Sequence, residues 1–251
     1  VTAETNDPEP NLWTHGHLLG GRIRHAQLRR GHRTGIEPVL LAAAVAARPG
    51  EAVLEAGCGS GAGLLCLATR VPGLTATGIE IDTAVASVAR ANAIANGLPH
   101  LEIVGIDLGD FNLADRYHHC FANPPWHHPD GTASPDHSRE RARRAVETTL
   151  GTWAHTLARA LRARGTLTFV VAAGVLSDCI AAFEASGCGS LSLFPLWPRI
   201  GIAAKLVLLQ GLKGGRGPMR VLPGLVLHEP DGSFTPAADA VLRQGEALRI
   251  A

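Results

Sequence analysis

The stretch Phe121-Ala122-Asn123-Pro124-Pro125-Trp126 joins an apolar run to an amide, two prolines and a large aromatic. A flat amine resting on the Trp126 indole would find two acceptors for its hydrogens, the Asn123 side-chain oxygen and the Pro124 carbonyl. That combination suits chemistry at an exocyclic amino group. The same letters alone also make a stiff loop, since Asn-Pro opens turns and paired prolines are rigid. The signal that separates the two readings lies upstream.

Val53 to Gly63, VLEAGCGSGAG, is glycine-rich at the junction of an apolar run and a helical stretch. Glycines at 57, 59 and 61 let the backbone turn sharply and leave room for a ligand, and the helix that follows offers unpaired N–H groups. A nucleotide-like ligand belongs at such an edge. Gly57-x-Gly59-x-x-Ala62 fits a loose dinucleotide fingerprint, which is weak by itself. Three features favour S-adenosylmethionine over a nicotinamide cofactor: Glu55 two residues before the first glycine, the glycine spacing, and Asp107 after the third strand, where it could receive an adenine amine. Glu80 ends the second strand, where a carboxylate can accept from both ribose hydroxyls. A nicotinamide enzyme would explain Glu80 but leaves Asn123 to Trp126 without a purpose.

The elements needed to hold these groups follow from the pattern. From residue 52, short apolar runs alternate with helical stretches, the signature of a largely parallel sheet. Strands are expected at 52–56, 75–79, 101–105, 118–122, 166–172, 190–194 and 203–211, and helices at 61–70, 83–96, 139–161, 176–186 and 237–243. Asp82 caps the second of these helices and Gly97 ends it. The last two strands lack a full helix between them, so they form a hairpin that puts one antiparallel strand into the sheet. The fold class is therefore α/β: a single Rossmann-like domain with a seven-stranded, mostly parallel sheet. Residues 13–50 read as an extension packed on it, with a hairpin around Gly20-Gly21 and a helix from Glu37. Residues 1–12 are expected to be a mobile tail, and 51–251 the main domain.

With 251 residues, 46% of them apolar, the chain can bury a sizeable core. A net charge of +1 argues against binding nucleic acid through a general positive field. Arginines cluster instead, at Arg22, Arg24, Arg29, Arg30 and Arg33 and again at Arg139, Arg141, Arg143 and Arg144, and their planar forks suit phosphate. The five cysteines form no C-x-x-C pair and sit in apolar segments. They point to a reducing cytoplasm, as does the lack of any recognisable secretory signal or membrane-spanning stretch. His118, His119, His127, His128 and His137 show no metal-ligand spacing, so no metal is expected.

These residues together resemble the class I S-adenosylmethionine-dependent methyltransferases over most of the chain. Glu55 to Gly63 is similar to that family's first motif, Glu80 to its ribose-binding acid, Asp107 to its adenine-contacting acid, and Asn123 to Trp126 to the Asn-Pro-Pro-aromatic motif of amine methylators. A narrower likeness, to bacterial enzymes that methylate an adenine amine beside the anticodon of a valine tRNA, rests on Gly21-Arg22, Gln27, Gly31-x-Arg33-x-Gly35-x-Glu37-Pro38, residues 195–198 and residues 223–229. The resemblance implies methyl transfer to adenine N6 in RNA, with a tRNA as partner and S-adenosylmethionine as cofactor. Gln27, Arg33, Gly35, Glu55, Gly57, Gly59, Gly61, Glu80, Ile81, Asp107, Leu108 and Asn123 would hold the cofactor. Asn123, Pro124, Pro125 and Trp126 would carry the chemistry, and Trp126, His127 and His128 would meet the substrate beneath a lid over 127–138. Trp126 replaces the usual Tyr or Phe and Glu37 the usual Asp, which leaves pocket shape open. A protein glutamine methyltransferase and a guanine-N2 RNA methyltransferase are the alternatives within the superfamily. Outside it stand a nicotinamide dehydrogenase and a cofactor-binding scaffold without catalysis. The oligomeric state is not set by the sequence.

Overall fold

The computed structural model describes residues 13–29, 33–125 and 150–250. A nine-stranded sheet runs through the molecule in the order β10-β8-β9-β7-β6-β3-β4-β5, with β11 paired alongside β8. The strands are β3 (Ala52–Ala56), β4 (Thr75–Glu80), β5 (Glu102–Gly105), β6 (Tyr117–Ala122), β7 (Leu161–Ala172), β8 (Cys188–Trp197), β9 (Leu206–Lys213), β10 (Arg220–Val221) and β11 (Leu225–Val226). Strand β9 is antiparallel to both β7 and β8, and the other pairings are parallel. The seven expected strands are the seven long ones. The two-residue strands β10 and β11 are additions, too short for an alternating pattern to mark them.

Helices α1 (Glu37–Ala44), α2 (Ala62–Arg70), α3 (Thr83–Ala95) and α6 (Pro236–Leu242) supply one face of the core, and α4 (Leu150–Ala160) and α5 (Leu176–Ala185) the other. Each choice has a local cause. Pro38 stands in the first turn of α1, where its missing N–H costs nothing. The Asp82 carboxylate accepts from the Ala84 and Val85 N–H groups and so starts α3. Helix α4 buries Trp153, Ala154, Leu157 and Ala158, a single stripe at helical spacing. The part of the expected helix between 139 and 149 lies outside the described residues.

Ahead of the sheet, β1 (Trp13–Leu18) and β2 (Ile23–Leu28) form a separate antiparallel ribbon. Its turn needs Gly20 and Gly21, at φ 64° and 99°. Two amides fasten the ribbon to α3. Asn92 accepts from the Ala26 N–H (2.8 Å) and donates to the Ala26 carbonyl (2.7 Å). One turn later Asn96 repeats the pattern with Arg24, at 2.9 and 2.7 Å. A helical spacing of four thus meets a strand spacing of two, and α3 stands in for a third strand along β2.

Candidate active site

The site lies at the carboxyl end of β3, β4 and β6. Strand register sets its geometry: Ala56 pairs with Ile79 on one side and Ala122 on the other. The glycine loop, Glu80 and Asn123 therefore leave the sheet from three adjacent strands, each spaced by about 4.8 Å. Open α/β sheets bind ligands at such an edge, where the chain departs in opposite directions from neighbouring strands.

The loop itself is held by carboxylates. Gly57, Gly59 and Gly61 take φ of 63°, 55° and 86°, which other residues adopt only under strain. Glu80 Oε2 accepts from the Gly59 N–H (2.9 Å), while its Oε1 accepts from the Asp82 N–H (3.0 Å). Burial pushes the Glu80 carboxyl above its ordinary range, and these N–H groups counter that rise. Glu55 is more extreme. It lies almost fully buried beneath the first turn of α2, where it accepts from the Leu64 N–H, and a Cβ at Gly63 would collide with its carboxylate. Burial, followed at a distance by the Glu80 charge, lifts its pKa to about 8.

Two buried side-chain atoms have no hydrogen-bond partner among the described residues, Glu55 Oε2 and Trp153 Nε1. The first lies against Gly63, and the second belongs to the residue whose ring meets Gly57. The Trp153 ring fills the space a side chain at 57 would need, 2.9 Å from where its Cβ would lie. A buried unpaired polar atom costs about 1–3 kcal/mol, so these two are the polar groups among the described residues that a further partner would satisfy. Ile81, next to Glu80, is 44% exposed despite being a large aliphatic. It offers an apolar face beside the Glu80 carboxylate. Leu108 is buried, and Asp107 caps the short turn that follows, its carboxylate accepting from the Gly109 N–H (2.7 Å).

The ribbon reaches the same loop from the other side. His25 Nε2 shares a 2.9 Å hydrogen bond with the Ser60 hydroxyl, and burial drives the imidazole pKa down to about 4, so it is neutral at pH 7. Gln27 Oε1 accepts from the Thr34 N–H (2.9 Å), and the Thr34 hydroxyl sits 3.4 Å from that of Ser60. Gln27 is thereby linked to the glycine loop through Thr34. Arg33 is exposed, and Gly35 leaves room for the Glu37 carboxylate at the start of α1. Asn123 is half-buried, Pro124 buried and Pro125 half-buried. Trp126, His127, His128 and the expected lid over 127–138 lie outside the described residues.

Sequence reasoning missed His25, Thr34, Asn92 and Trp153. His25 shares an inward strand face with Ile23, so alternation alone marks it as buried, and Asn92 and Asn96 are polar groups at helical spacing. Their partners are set by tertiary contact, which leaves no mark in local pattern. Trp153 reads as ordinary helix core until its ring is seen against Gly57. No helix among the described residues is long and apolar enough to cross a membrane, and they contain no cluster of side chains suited to a metal.

Residues 53–148 match a family model described as a methyltransferase domain. The chain is 34% identical over 117 residues to a tRNA1(Val) (adenine(37)-N6)-methyltransferase of Photorhabdus laumondii, a match covering 44% of this chain and 47% of that one. It is 30% identical over 141 residues to the protein of that name from Bacteroides thetaiotaomicron, covering 55% and 59%. The chain thus spans about half the length of the curated relatives it matches. Among solved structures, a predicted O-methyltransferase from Agrobacterium tumefaciens superposes with a TM-score of 0.71 at 22% identity, over 85% of this chain and 98% of that one. At that identity the likeness is one of fold.

Proposed function

We propose that this chain, built on the class I methyltransferase fold and carrying a methyltransferase domain, transfers a methyl group from S-adenosylmethionine to the exocyclic N6 amine of an adenine in RNA, in a tRNA anticodon loop. The observation that carries the reading is the register Ala56↔Ala122, which sets Asn123-Pro124-Pro125 on the strand beside the glycine loop. The names of the curated relatives support the acceptor.

The residues present fit such a cofactor. Glu80 would accept from the ribose hydroxyls, Ile81 and Leu108 would lie against the adenine, and Asp107 would receive its amine. Gly59 leaves open space where a side chain would stand. Bound there, the cofactor supplies an electrophilic methyl on a sulfonium.

Asn123 and Pro124 work on the other reactant. An aromatic amine is a poor nucleophile because its lone pair is delocalised into the ring. Hydrogen bonds from its two N–H groups to the Asn123 oxygen and the Pro124 carbonyl favour a pyramidal nitrogen whose lone pair is free. Two rigid prolines hold these acceptors still, so much of the barrier is removed by placement. Trp126 would supply a stacking platform for a base extruded from its neighbours, and His127 and His128 would be its further substrate contacts. Neither a metal nor a strong base is needed, since the methylated amine is acidic enough to lose its proton to solvent.

The test is incubation with unmodified total tRNA and labelled methyl donor, followed by mass spectrometry of the nucleosides. N6-methyladenosine is the expected product. Methylguanosine, or label found only in protein glutamine, overturns the adenine assignment.

A further inference from the structure

The ribbon ahead of the sheet has two faces, and only the inner one is occupied by the site. Strand alternation and the register Trp13↔Leu28, His15↔Ala26 and His17↔Arg24 place Trp13, His15, His17 and Arg24 on a single face. Burial agrees with this division. Ile23 and His25 on the opposite face are buried, whereas His15, His17 and Arg24 are exposed and Trp13 is half-exposed.

The charge of this region is one-sided in a chain that is otherwise balanced. No Asp or Glu occurs between residues 10 and 36, a span holding five arginines and four histidines. Arg24 extends its guanidinium to the Ala95 carbonyl, which fixes the position of the charge without neutralising it. Arg29 and Arg33, also exposed, follow β2 in the chain.

We infer that the outer face of the β1–β2 ribbon holds the sugar-phosphate backbone of the RNA substrate, an inference that rests on the RNA acceptor proposed above. Guanidinium and imidazole N–H groups are donors matched to phosphate oxygens, and the indole can stack on an exposed base. The groups recur every second residue, about 6.8 Å apart along the strand, which suits an extended polymer. Ala26 and Leu28 share this face opposite His15 and Trp13, but its exposed groups are the donors His15, His17 and Arg24, whereas a protein partner would call for an apolar centre within a polar rim.

Position makes the face useful. Asn92 and Asn96 bind the ribbon backbone to α3, and His25 grips Ser60 in the cofactor loop. RNA on the outer face is therefore about one layer, roughly 10 Å, from the cofactor cleft. That is within the reach of a nucleotide rotated out of an anticodon loop.

The experiment measures binding of unmodified tRNA by fluorescence anisotropy between about 50 and 200 mM salt, alongside S-adenosylhomocysteine affinity by calorimetry and steady-state methyl transfer. Three variants are compared with wild type: a combined Trp13→Ala, His15→Ser, His17→Ser; Arg24→Gln; and Arg164→Gln, an exposed arginine near the amino end of the sheet. The combined variant is expected to weaken tRNA binding about tenfold or more and to raise KM for RNA. Its kcat at saturation and its S-adenosylhomocysteine affinity stay as in wild type, which also reports an intact fold. Arg24→Gln is expected to lower the salt slope by about one, and Arg164→Gln to change nothing. Unchanged tRNA binding by the combined variant, no tRNA binding by wild type, or an equal loss in Arg164→Gln overturns the inference. A protein that binds tRNA through this face yet forms no methyladenosine overturns the proposed reaction alone. Methyladenosine formed while the combined variant binds RNA normally overturns the surface alone.

Discussion

The two ends of the central sheet treat their polar groups in opposite ways. At the amino end, His119 lies between Glu51 (3.1 Å) and the Thr166 hydroxyl (2.7 Å), the Ala52 N–H donates to His118 Nδ1, and Lys213 pairs with Asp115 at 2.9 Å. Burial holds the His119 pKa down, although the Glu51 carboxylate opposes it. At the carboxyl end, Glu55 and Trp153 each bury an atom without a partner among the described residues, and Ile81 faces outwards. A chain that can saturate one end so fully has the means to do so at the other. Among the described residues, the unpaired groups gather at the carboxyl end, where a bound molecule would meet them.

Substitutions can break or sharpen this contrast. The largest effect is expected from Asn123→Ala, which removes one of the two acceptors proposed for the amine. It should lower kcat by about 10²–10³-fold, the usual cost of losing one preorganised polar contact to a reacting group, with cofactor affinity intact in calorimetry. Turnover close to wild type would make Asn123 a structural turn residue and leave the carboxyl end without its chemistry.

A smaller effect, and one specific to pH, is expected from Glu55→Gln. The Glu55 carboxyl is raised from its ordinary 4.5 to about 8 by burial. A folded-state pKa above the unfolded value means stability is greatest below about 4.5 and is lost as pH rises through about 8. Glutamine has no charge to bury, so the variant should gain a few kcal/mol over wild type at pH 8 and lose that advantage near pH 4.5. Denaturant unfolding without cofactor at the two pH values checks this. A difference independent of pH would mean that Glu55 has a counter-charge that the geometry does not reveal.

The smallest effect belongs to the amino end. Glu51 is partly solvated, and its pKa is lowered by the Arg48 N–H and by His119 against the opposing desolvation. Glu51→Gln should change stability by about 1 kcal/mol or less and leave methyl transfer untouched. A tenfold fall in activity would end the distinction between the two ends.

Much of this arrangement can be read from the letters because it is local. A glycine loop between a strand and a helix, an acid at the next strand's end and Asn-Pro-Pro at another each state their place in a parallel sheet. Asp82 as a cap and the hairpin at Gly20-Gly21 were legible for the same reason. The strand ends were less so: β7 begins at Leu161, directly after α4, whereas the apolar pattern starts only after Gly165. What the letters could not give was the grip of the ribbon on the loop, since His25 and Ser60 are 35 residues apart. Trp153 was hidden in a different way, its helix stripe being equally consistent with plain packing.

The double amide contact of Asn92 bears on where this protein can be divided. Its side chain is 3% exposed and spends both its oxygen and its nitrogen on Ala26, with a further bond to the Ser60 carbonyl. A shortened chain starting at residue 51 would strand that amide in an apolar setting and release Ser60 from His25 at the same time. The part of the chain that carries the large sheet is not a module that can be cut free at β3; its edge is drawn by a residue 66 positions downstream of the one it holds.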